Sequence, residues 1–329
     1  MLINIGTPDS PSVKDVRNYL SEFLNDPRVI DLPWLLRKIV VNLVIVPFRA
    51  PKSARLYKLL WSEKGSPLNF HSNSVRDKLQ EQLGDSYTIF VAMRYANPNI
   101  REVTEQMKKE GFSKLIVVPL FPHYASSSTG SAMEAVMDQL KKWNVIPEVK
   151  FVGQFYHHPQ FIEAFAERIK ACHPEKYEHV LFSYHGLPIS HMARIHPEID
   201  CENCSCTLQF PKHGEFCYKA TTYETTRLLT AKLDLPEGSF SHSYQSRLSD
   251  KWLKPYTDKL LKQRAKEGIK NILVVSPAFV ADCLETTVEL GCDYKNQFIA
   301  AGGENLDYVE SLNDTAAWIQ VLKNLIDNT

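Results

Sequence analysis

Short apolar runs alternate with amphipathic segments along the whole chain. Period-2 or continuous apolar runs predict buried strands, at residues 2–5, 87–93, 115–120 and 149–153 in the first half and 180–185 in the second. Helical spacing follows them, for example over residues 100–110, where Gly111 predicts the end of the helix. Strands that alternate with helices predict parallel sheets in an α/β fold.

The second half of the chain repeats the plan of the first. Residues 109–121, K-E-G-F-S-K-L-I-V-V-P-L-F, match residues 266–279, K-E-G-I-K-N-I-L-V-V-S-P-A-F. The first strand ends in Gly-x-Pro, as does the strand at 180–185. Such an internal duplication predicts two similar doubly wound lobes.

The predicted lobes span residues 1–155 and 156–329. The second carries a cysteine-rich insert at 198–218, and the last helix, at 315–326, is expected to cross back to the first lobe. The active site is expected in a cleft between the lobes, where the carboxyl ends of both sheets meet.

Composition indicates a soluble globular protein without a nucleic-acid surface. Hydrophobic residues make up 44% of the chain, and 38 Lys and Arg balance 38 Asp and Glu. Strand-like sequence begins at Leu2, so no export signal is expected, and the protein is assigned to the reducing cytoplasm.

One apolar segment suggests contact with a membrane surface. Residues 39–48 are about half the length that spans a bilayer. The wider 34–48 region, with Trp34 and flanking basic residues, could lie on a membrane face. The pattern favours a buried helix, and peripheral contact at the inner face of the membrane is the alternative.

Chemistry-bearing side chains follow the predicted strands. His185 ends V-L-F-S-Y-H-G-L-P, where a histidine could exchange protons near neutral pH. After the second duplicate strand comes F-V-A-D-C-L-E-T-T-V-E-L. If a helix starts near Asp282, then Asp282, Glu285 and Glu289 line one face. A solvated acidic face is the alternative.

Two further segments are candidates for ligand contacts. The run P-H-Y-A-S-S-S-T-G-S at 122–131 leads into a helix, where hydroxyls and backbone N–H groups bind anions or simply cap the helix. Tyr244, Arg247 and Trp252 lie near another strand end. They suit a flat aromatic ligand that bears a carboxylate.

Four cysteines form the spacing C-x2-C-x-C-x10-C in the predicted insert, namely Cys201, Cys204, Cys206 and Cys217. Four thiols this close in a cytoplasmic protein predict a metal site, and their softness suits zinc and an iron–sulfur cluster equally. Cys172 and Cys292 are interpreted as core thiols, and Cys283 as either a buried thiol or a metal neighbour.

Six motifs in order make the chain resemble the ferrochelatase family, over nearly its whole length. They are L-I-N-I-G-T-P, M-R-Y-A-N-P, P-L-F-P-H-Y-A-S-S-S-T-G-S, S-Y-H-G-L-P, Y-Q-S-R-L…W-L-K-P and F-V-A-D-C-L-E-T. The resemblance implies two Rossmann-like lobes and a lyase that inserts ferrous iron into a free-base porphyrin in haem biosynthesis. Protoporphyrin IX is the expected porphyrin and coproporphyrin the alternative.

The resemblance also implies roles for individual residues. His185 and Glu285 are the catalytic pair and contact the substrate iron, while Asp282 and Glu289 extend the acidic path. The porphyrin-contacting residues implied are Ile5, Arg94, Phe121, Tyr124, Ser246 and Trp252. Many relatives carry histidine at position 283, which puts a metal role for Cys283 in doubt.

The four cysteines are similar to those of a bacterial subgroup with an internal 2Fe–2S cluster, so a cluster is favoured over zinc. Alternatives to the implied reaction are a chelatase for cobalt or another tetrapyrrole, and a porphyrin or haem carrier without catalysis. The acid–base pair His185 and Glu285 argues against a carrier.

Overall fold

The structure, a computed structural model, describes residues 1–329. Eight strands are present: β1 (Leu2–Asn4), β2 (Val91–Met93), β3 (Lys114–Pro119), β4 (Glu148–Phe151), β5 (His179–His185), β6 (Phe240–Gln245), β7 (Asn271–Val275) and β8 (Asn305–Tyr308).

Twelve α-helices accompany the strands: α1 (Val13–Leu24), α2 (Trp34–Ile39), α3 (Val46–Leu60), α4 (Pro67–Leu83), α5 (Ile100–Glu110), α6 (Ser131–Leu140), α7 (Pro159–Ala171), α8 (Ile189–Ile195), α9 (Tyr218–Lys232), α10 (Thr257–Lys266), α11 (Lys295–Ala300) and α12 (Ala316–Asp327). Three π-helical segments lie among them: Val40–Ile45, Ser126–Gly130 and Leu284–Tyr294.

The chain divides into two compact units. The first comprises Met1–Gln154 together with Asp314–Thr329, and the second comprises Phe155–Asn313. The C-terminal helix α12 therefore belongs to the first unit, where it packs against α4.

Each unit contains one four-stranded parallel sheet. The strand order is β2-β1-β3-β4 in the first and β6-β5-β7-β8 in the second. Both orders read 2-1-3-4 in chain sequence, so the two-lobed α/β prediction is confirmed. Apolar side chains cover the sheets, as with Ile3 and Val117 in the first and Leu181 and Val274 in the second.

This strand order indicates where each unit is suited to bind a ligand. The chain turns to opposite sides of the first strand, so a switch point lies between β1 and β3, and another between β5 and β7. Open α/β sheets bind ligands outside the carboxyl ends of the strands at such points. Ile5 and Leu120 follow the first pair of strands, and Gly186 and Ser276 follow the second.

The apolar 34–48 region is exposed, so the favoured prediction of a buried helix was wrong. Leu43 keeps 71% of its surface accessible and Phe48 keeps 74%. Trp34, Leu35 and Val44 are exposed as well, whereas Val41 is buried and attaches the segment to the core. None of the helices has both the length and the apolar character that crossing a membrane requires.

Candidate functional site

His185 is the last residue of β5, the central strand of its sheet. Its Nδ1 lies 2.7 Å from the Gly186 carbonyl oxygen. A carbonyl can only accept, so Nδ1 carries a proton, and in the neutral ring Nε2 is the nitrogen with the free lone pair. The rings of Trp252 and Phe279 flank the imidazole, with centroids 6.4 and 6.3 Å away. His185 therefore presents one basic nitrogen beside two aromatic rings.

Gly186 is required at this turn because its neighbours leave no room for a side chain. A Cβ there would lie 2.8 Å from the Gln245 carbonyl oxygen and 3.2 Å from Cε3 of Trp252. The backbone next to His185 is thereby held close to both β6 and Trp252.

The acidic segment after β7 forms a π-helix eleven residues long, Leu284–Tyr294. Such helices are rare and mostly single turns, and they occur frequently at functional sites. Because its hydrogen bonds run from i to i+5, the π-helix is wider than an α-helix, and residues four apart lie on the same side of it. Glu285 and Glu289 therefore share a face.

Two hydroxyl groups hold Glu289. Ser246 donates to Oε2 at 2.5 Å, and Tyr294 donates to Oε1 at 2.8 Å. Burial raises the pKa of Glu289, the Glu285 carboxylate raises it further, and the two hydroxyls and His185 oppose the shift. Glu285 and His185 thus lie close enough to Glu289 to affect its pKa electrostatically.

Asp282 does not belong to this acidic face, which corrects the prediction. The helix begins at Leu284, two residues later. The buried Asp282 carboxylate accepts hydrogen bonds from the Asn313 side chain at 2.7 Å, from Thr286 at 3.0 Å and from the Ser311 N–H at 3.2 Å. These bonds use its acceptor capacity within the fold, so Asp282 ties the end of β7 to the segment before α12.

Cys283 is a buried thiol in its neutral form. Burial raises its pKa well above the usual range, and the adjacent Glu285 carboxylate adds to the shift. Cys292, in contrast, is exposed, so its interpretation as a core thiol was wrong.

Both arginines expected near the porphyrin are engaged in internal ion pairs. Arg94 donates to the buried Asp26 carboxylate at 2.6 Å and to the Ser131 hydroxyl at 2.6 Å. Arg247 pairs with Asp250 and Asp258, at 2.8 and 3.1 Å. Neither charge is left uncompensated for a ligand carboxylate.

The serine-rich run after β3 is held by an arginine that sequence reasoning missed. Arg28 donates to the Ser126 hydroxyl at 2.8 Å and to Glu134 at 2.6 Å. A Cβ on Gly130 would lie 3.1 Å from the Tyr124 hydroxyl and 3.4 Å from the Arg28 guanidinium. Tyr124 and Arg28 therefore approach each other across Gly130. No local pattern marks Arg28, because its partners lie about 100 residues away.

The remaining predicted porphyrin contacts are partly exposed: Ile5 lies directly after β1, Phe121 just after β3, Ser246 directly after β6, and Trp252 in the loop between β6 and α10. Ser246 adopts a positive φ of 62°, an uncommon backbone conformation that turns its hydroxyl toward Glu289. Tyr244, in contrast, is buried and bonds Thr222, so it is no part of an exposed wall.

The four cysteines of the insert gather around the start of α9. Cys201, Cys206 and Cys217 are buried, and Cys204 is partly exposed. Burial raises the pKa of Cys201 to about 11 and that of Cys206 to about 12, and neighbouring thiols of the set add to both shifts. The buried Lys219 ammonium opposes these shifts, and its Nζ donates to the Cys201 carbonyl at 2.5 Å.

Across residues 1–329, no three or more His, Cys, Asp or Glu side chains are arranged to hold a single metal ion. A structural zinc site needs four donors that converge on one point. A two-iron cluster divides four thiolates between its irons, two on each. Four gathered thiols match the donor set of either group.

Comparisons with known proteins agree with these features. The sequence profile of the ferrochelatase family matches residues 1–329. The ferrochelatase of Legionella pneumophila (strain Lens) is 41% identical over 328 residues, which cover 99% of this chain and 98% of that protein. The ferrochelatase of Coxiella burnetii (strain Dugway 5J108-111) is 39% identical, covering 99% and 92%.

A solved structure shows the same fold at low sequence identity. SirB from Bacillus subtilis, determined with Fe3+, superposes with a TM-score of 0.55 and 12% identity, covering 80% of this chain and 91% of that one.

Proposed function

Because the chain belongs to the ferrochelatase family and inserts ferrous iron into a porphyrin, we propose that His185 accepts the pyrrole protons. The observation that carries this proposal is the 2.7 Å contact of Nδ1 with the Gly186 carbonyl. It leaves Nε2 as the basic atom of the ring. The reaction turns a free-base porphyrin and Fe2+ into haem and two protons, so a proton acceptor is required.

Glu289 and Glu285 accept the protons that His185 has taken from the porphyrin. Burial raises the pKa of Glu289, which favours its holding a proton, and Ser246 and Tyr294 keep its carboxylate oriented. Glu285 lies one π-turn away on the same face. In this proposal Glu285 and His185 contact the substrate iron, and Glu289 passes protons onward.

Partly exposed apolar side chains hold the porphyrin. Ile5, Phe121, Tyr124 and Trp252 pack on the ring and favour the bent form that exposes nitrogen lone pairs to the metal. Arg94 supports this surface through Ser131 rather than by binding a propionate, because Asp26 compensates its charge.

An anaerobic insertion assay tests this function. Fe2+, Co2+ and Zn2+ are offered singly and in competition, with protoporphyrin IX and coproporphyrin as acceptors. Fe2+ is expected to give metalloporphyrin fastest, with protoporphyrin IX preferred. Porphyrin binding without insertion of any of the metals would instead establish a carrier.

The four cysteines Cys201, Cys204, Cys206 and Cys217 are proposed to hold a 2Fe–2S cluster, with structural zinc as the alternative. Their burial around the Lys219 ammonium suits an anionic group. When bound, such a cluster supplies a cross-link that depends on iron and on oxidation state.

An absorbance spectrum of the purified protein decides between cluster and zinc. A cluster absorbs in the visible range, and Cys204→Ser is expected to remove that absorbance. A colourless protein that contains one equivalent of zinc would show that the cluster proposal is wrong.

The exposed 34–48 segment is proposed to contact the inner face of the cytoplasmic membrane. Trp34, Leu43 and Phe48 expose apolar surface next to Lys38 and Arg49. Flotation with vesicles of anionic lipid is expected to carry the protein upward. The Leu43→Ser, Phe48→Ser double variant should stay at the bottom with its insertion rate intact. Equal flotation of both proteins would contradict the assignment.

A further inference from the structure

Three consecutive residues at the start of α9 contact the cysteine segment and the predicted catalytic strand. Cys217 is the residue that caps the helix. The Tyr218 hydroxyl donates to the His185 carbonyl oxygen at 2.9 Å. Lys219 donates to the Cys201 carbonyl oxygen at 2.5 Å. One helical turn therefore joins two cysteines of the insert to the backbone of His185.

The link through Tyr218 is rigid. Its side chain is 5% exposed, and burial raises the pKa of Tyr218, so the phenol stays a donor throughout the neutral range. The side chain has two torsions, and both are confined by packing. A displacement of the helix start is therefore transmitted to the carbonyl rather than absorbed by the side chain.

The His185 carbonyl in turn positions the imidazole. It shares a peptide unit with the Gly186 N–H, which donates to the Gln245 carbonyl at 2.8 Å. The next carbonyl, that of Gly186, contacts Nδ1 of His185. A shift of the first peptide unit thus moves the group that selects the tautomer and aims Nε2.

We propose that Tyr218 is a positioning residue that transmits the state of the four-cysteine segment to His185. When the cysteines are held together, the first turn of α9 is fixed and His185 is aimed at the porphyrin. When they are released, the turn moves and insertion slows. This inference rests on the proposed role of His185, and it requires some ligand or bond at the cysteines without specifying which.

Four proteins test the coupling: the wild type, Cys204→Ser, Tyr218→Phe and the double variant. Cys204 is chosen because it is the most accessible of the four and lies outside α9. Each single substitution is expected to lower kcat about tenfold while the KM for porphyrin changes little, since displacements near 1 Å can cost about 10²-fold in rate. The double variant should be no slower than Tyr218→Phe, because that substitution already removes the hydrogen bond through which the cysteines act on His185.

Tyr223→Phe is the matched control. Tyr223 lies on the same helix, and its ring stacks on His242 with centroids 3.8 Å apart rather than reaching His185. This variant should keep the wild-type kcat and its full response to Cys204→Ser. If Cys204→Ser fails to fold, the cysteine segment is perturbed instead by brief treatment of the wild type and Tyr218→Phe with an iron chelator. The chelator is removed before the assay.

Two results would overturn the coupling. One is a wild-type kcat in Tyr218→Phe. The other is an equal fractional loss of kcat when the cysteines are perturbed in the wild type and in Tyr218→Phe. Visible absorbance is recorded on every sample, so that this inference can be judged separately from the cluster assignment. If the wild type is colourless but the kcat losses are non-additive, the coupling is supported and the cluster assignment is wrong.

Discussion

Burial opposes ionisation of Glu289, and two hydroxyl groups favour it. Ser246 and Tyr294 each donate to one carboxylate oxygen, yet the pKa of Glu289 remains above its ordinary value. A carboxyl whose pKa is raised accepts a proton more readily than an ordinary one, which is the property that a relay from His185 needs.

This balance predicts a pH dependence for insertion. Glu289 must be ionised to receive a proton, so kcat/KM should fall as pH drops through its raised pKa. Tyr294→Phe removes a hydrogen bond that favours the charged form, so the acid limb should move to higher pH. Glu289→Gln should lower the rate and abolish that limb. A Tyr294→Phe profile that superposes on the wild type would exclude Glu289 from the relay.

Side chains whose partners are distant in sequence were the ones that sequence reasoning misjudged. The motif around Arg94 indicates a ligand contact, but Asp26, 68 residues earlier, already neutralises it. Asp282 stands at helical spacing from Glu285, but Asn313 and Ser311 hold it. His185, in contrast, lies at the end of β5, where the apolar run before it predicts it.

The π-helix Leu284–Tyr294 shows why element type is harder to predict than element position. The apolar run before it fixes where it starts to within two residues, whereas an i→i+5 bonding pattern leaves no distinct periodicity in so short a segment. For the Ile39–Phe48 segment the prediction was wrong for another reason. Its apolar run predicts a buried helix, whereas side chains such as Leu43 and Phe48 are exposed.

One carboxylate ties the start of helix α12 to α4. Asp314, just before the helix, accepts from Ser74 at 2.6 Å, from Lys78 at 2.5 Å and from His71 at 3.3 Å. Partial burial opposes its ionisation, but the hydrogen bonds from Lys78 and Ser74 outweigh this and lower the pKa of Asp314 far below its usual range.

Asp314→Asn is therefore expected to destabilise the protein in a pH-dependent way. A lowered folded-state pKa contributes stability above the unfolded value, about 3.9, and that stability is lost as pH falls. The substitution should cost roughly 1–3 kcal/mol at pH 7 and less as pH falls below about 4, measured by urea denaturation at pH 7 and at pH 2. Asp327→Asn, which removes an exposed pair with Lys323, should cost less than about 0.5 kcal/mol. Equal losses at both pH values would contradict the assignment.

At the scale of the whole molecule, the repeated 2-1-3-4 strand order accounts for the location of the chemistry. Duplicated motifs in the sequence were enough to predict two parallel sheets, because each repeat carries its own strand, turn and helix signals. The link from Cys217 through Tyr218 to His185 could not be predicted, since it depends on how the insert folds back on α9.

The proton-acceptor role of His185 is the claim on which the account depends. Chemical rescue tests it most directly: His185→Ala is assayed anaerobically with Fe2+ and porphyrin, with and without added imidazole, while porphyrin binding is followed by absorbance. The account predicts normal porphyrin binding, insertion slowed by about 10²-fold or more, and partial recovery as imidazole is added. Near-normal insertion by His185→Ala without imidazole would contradict it.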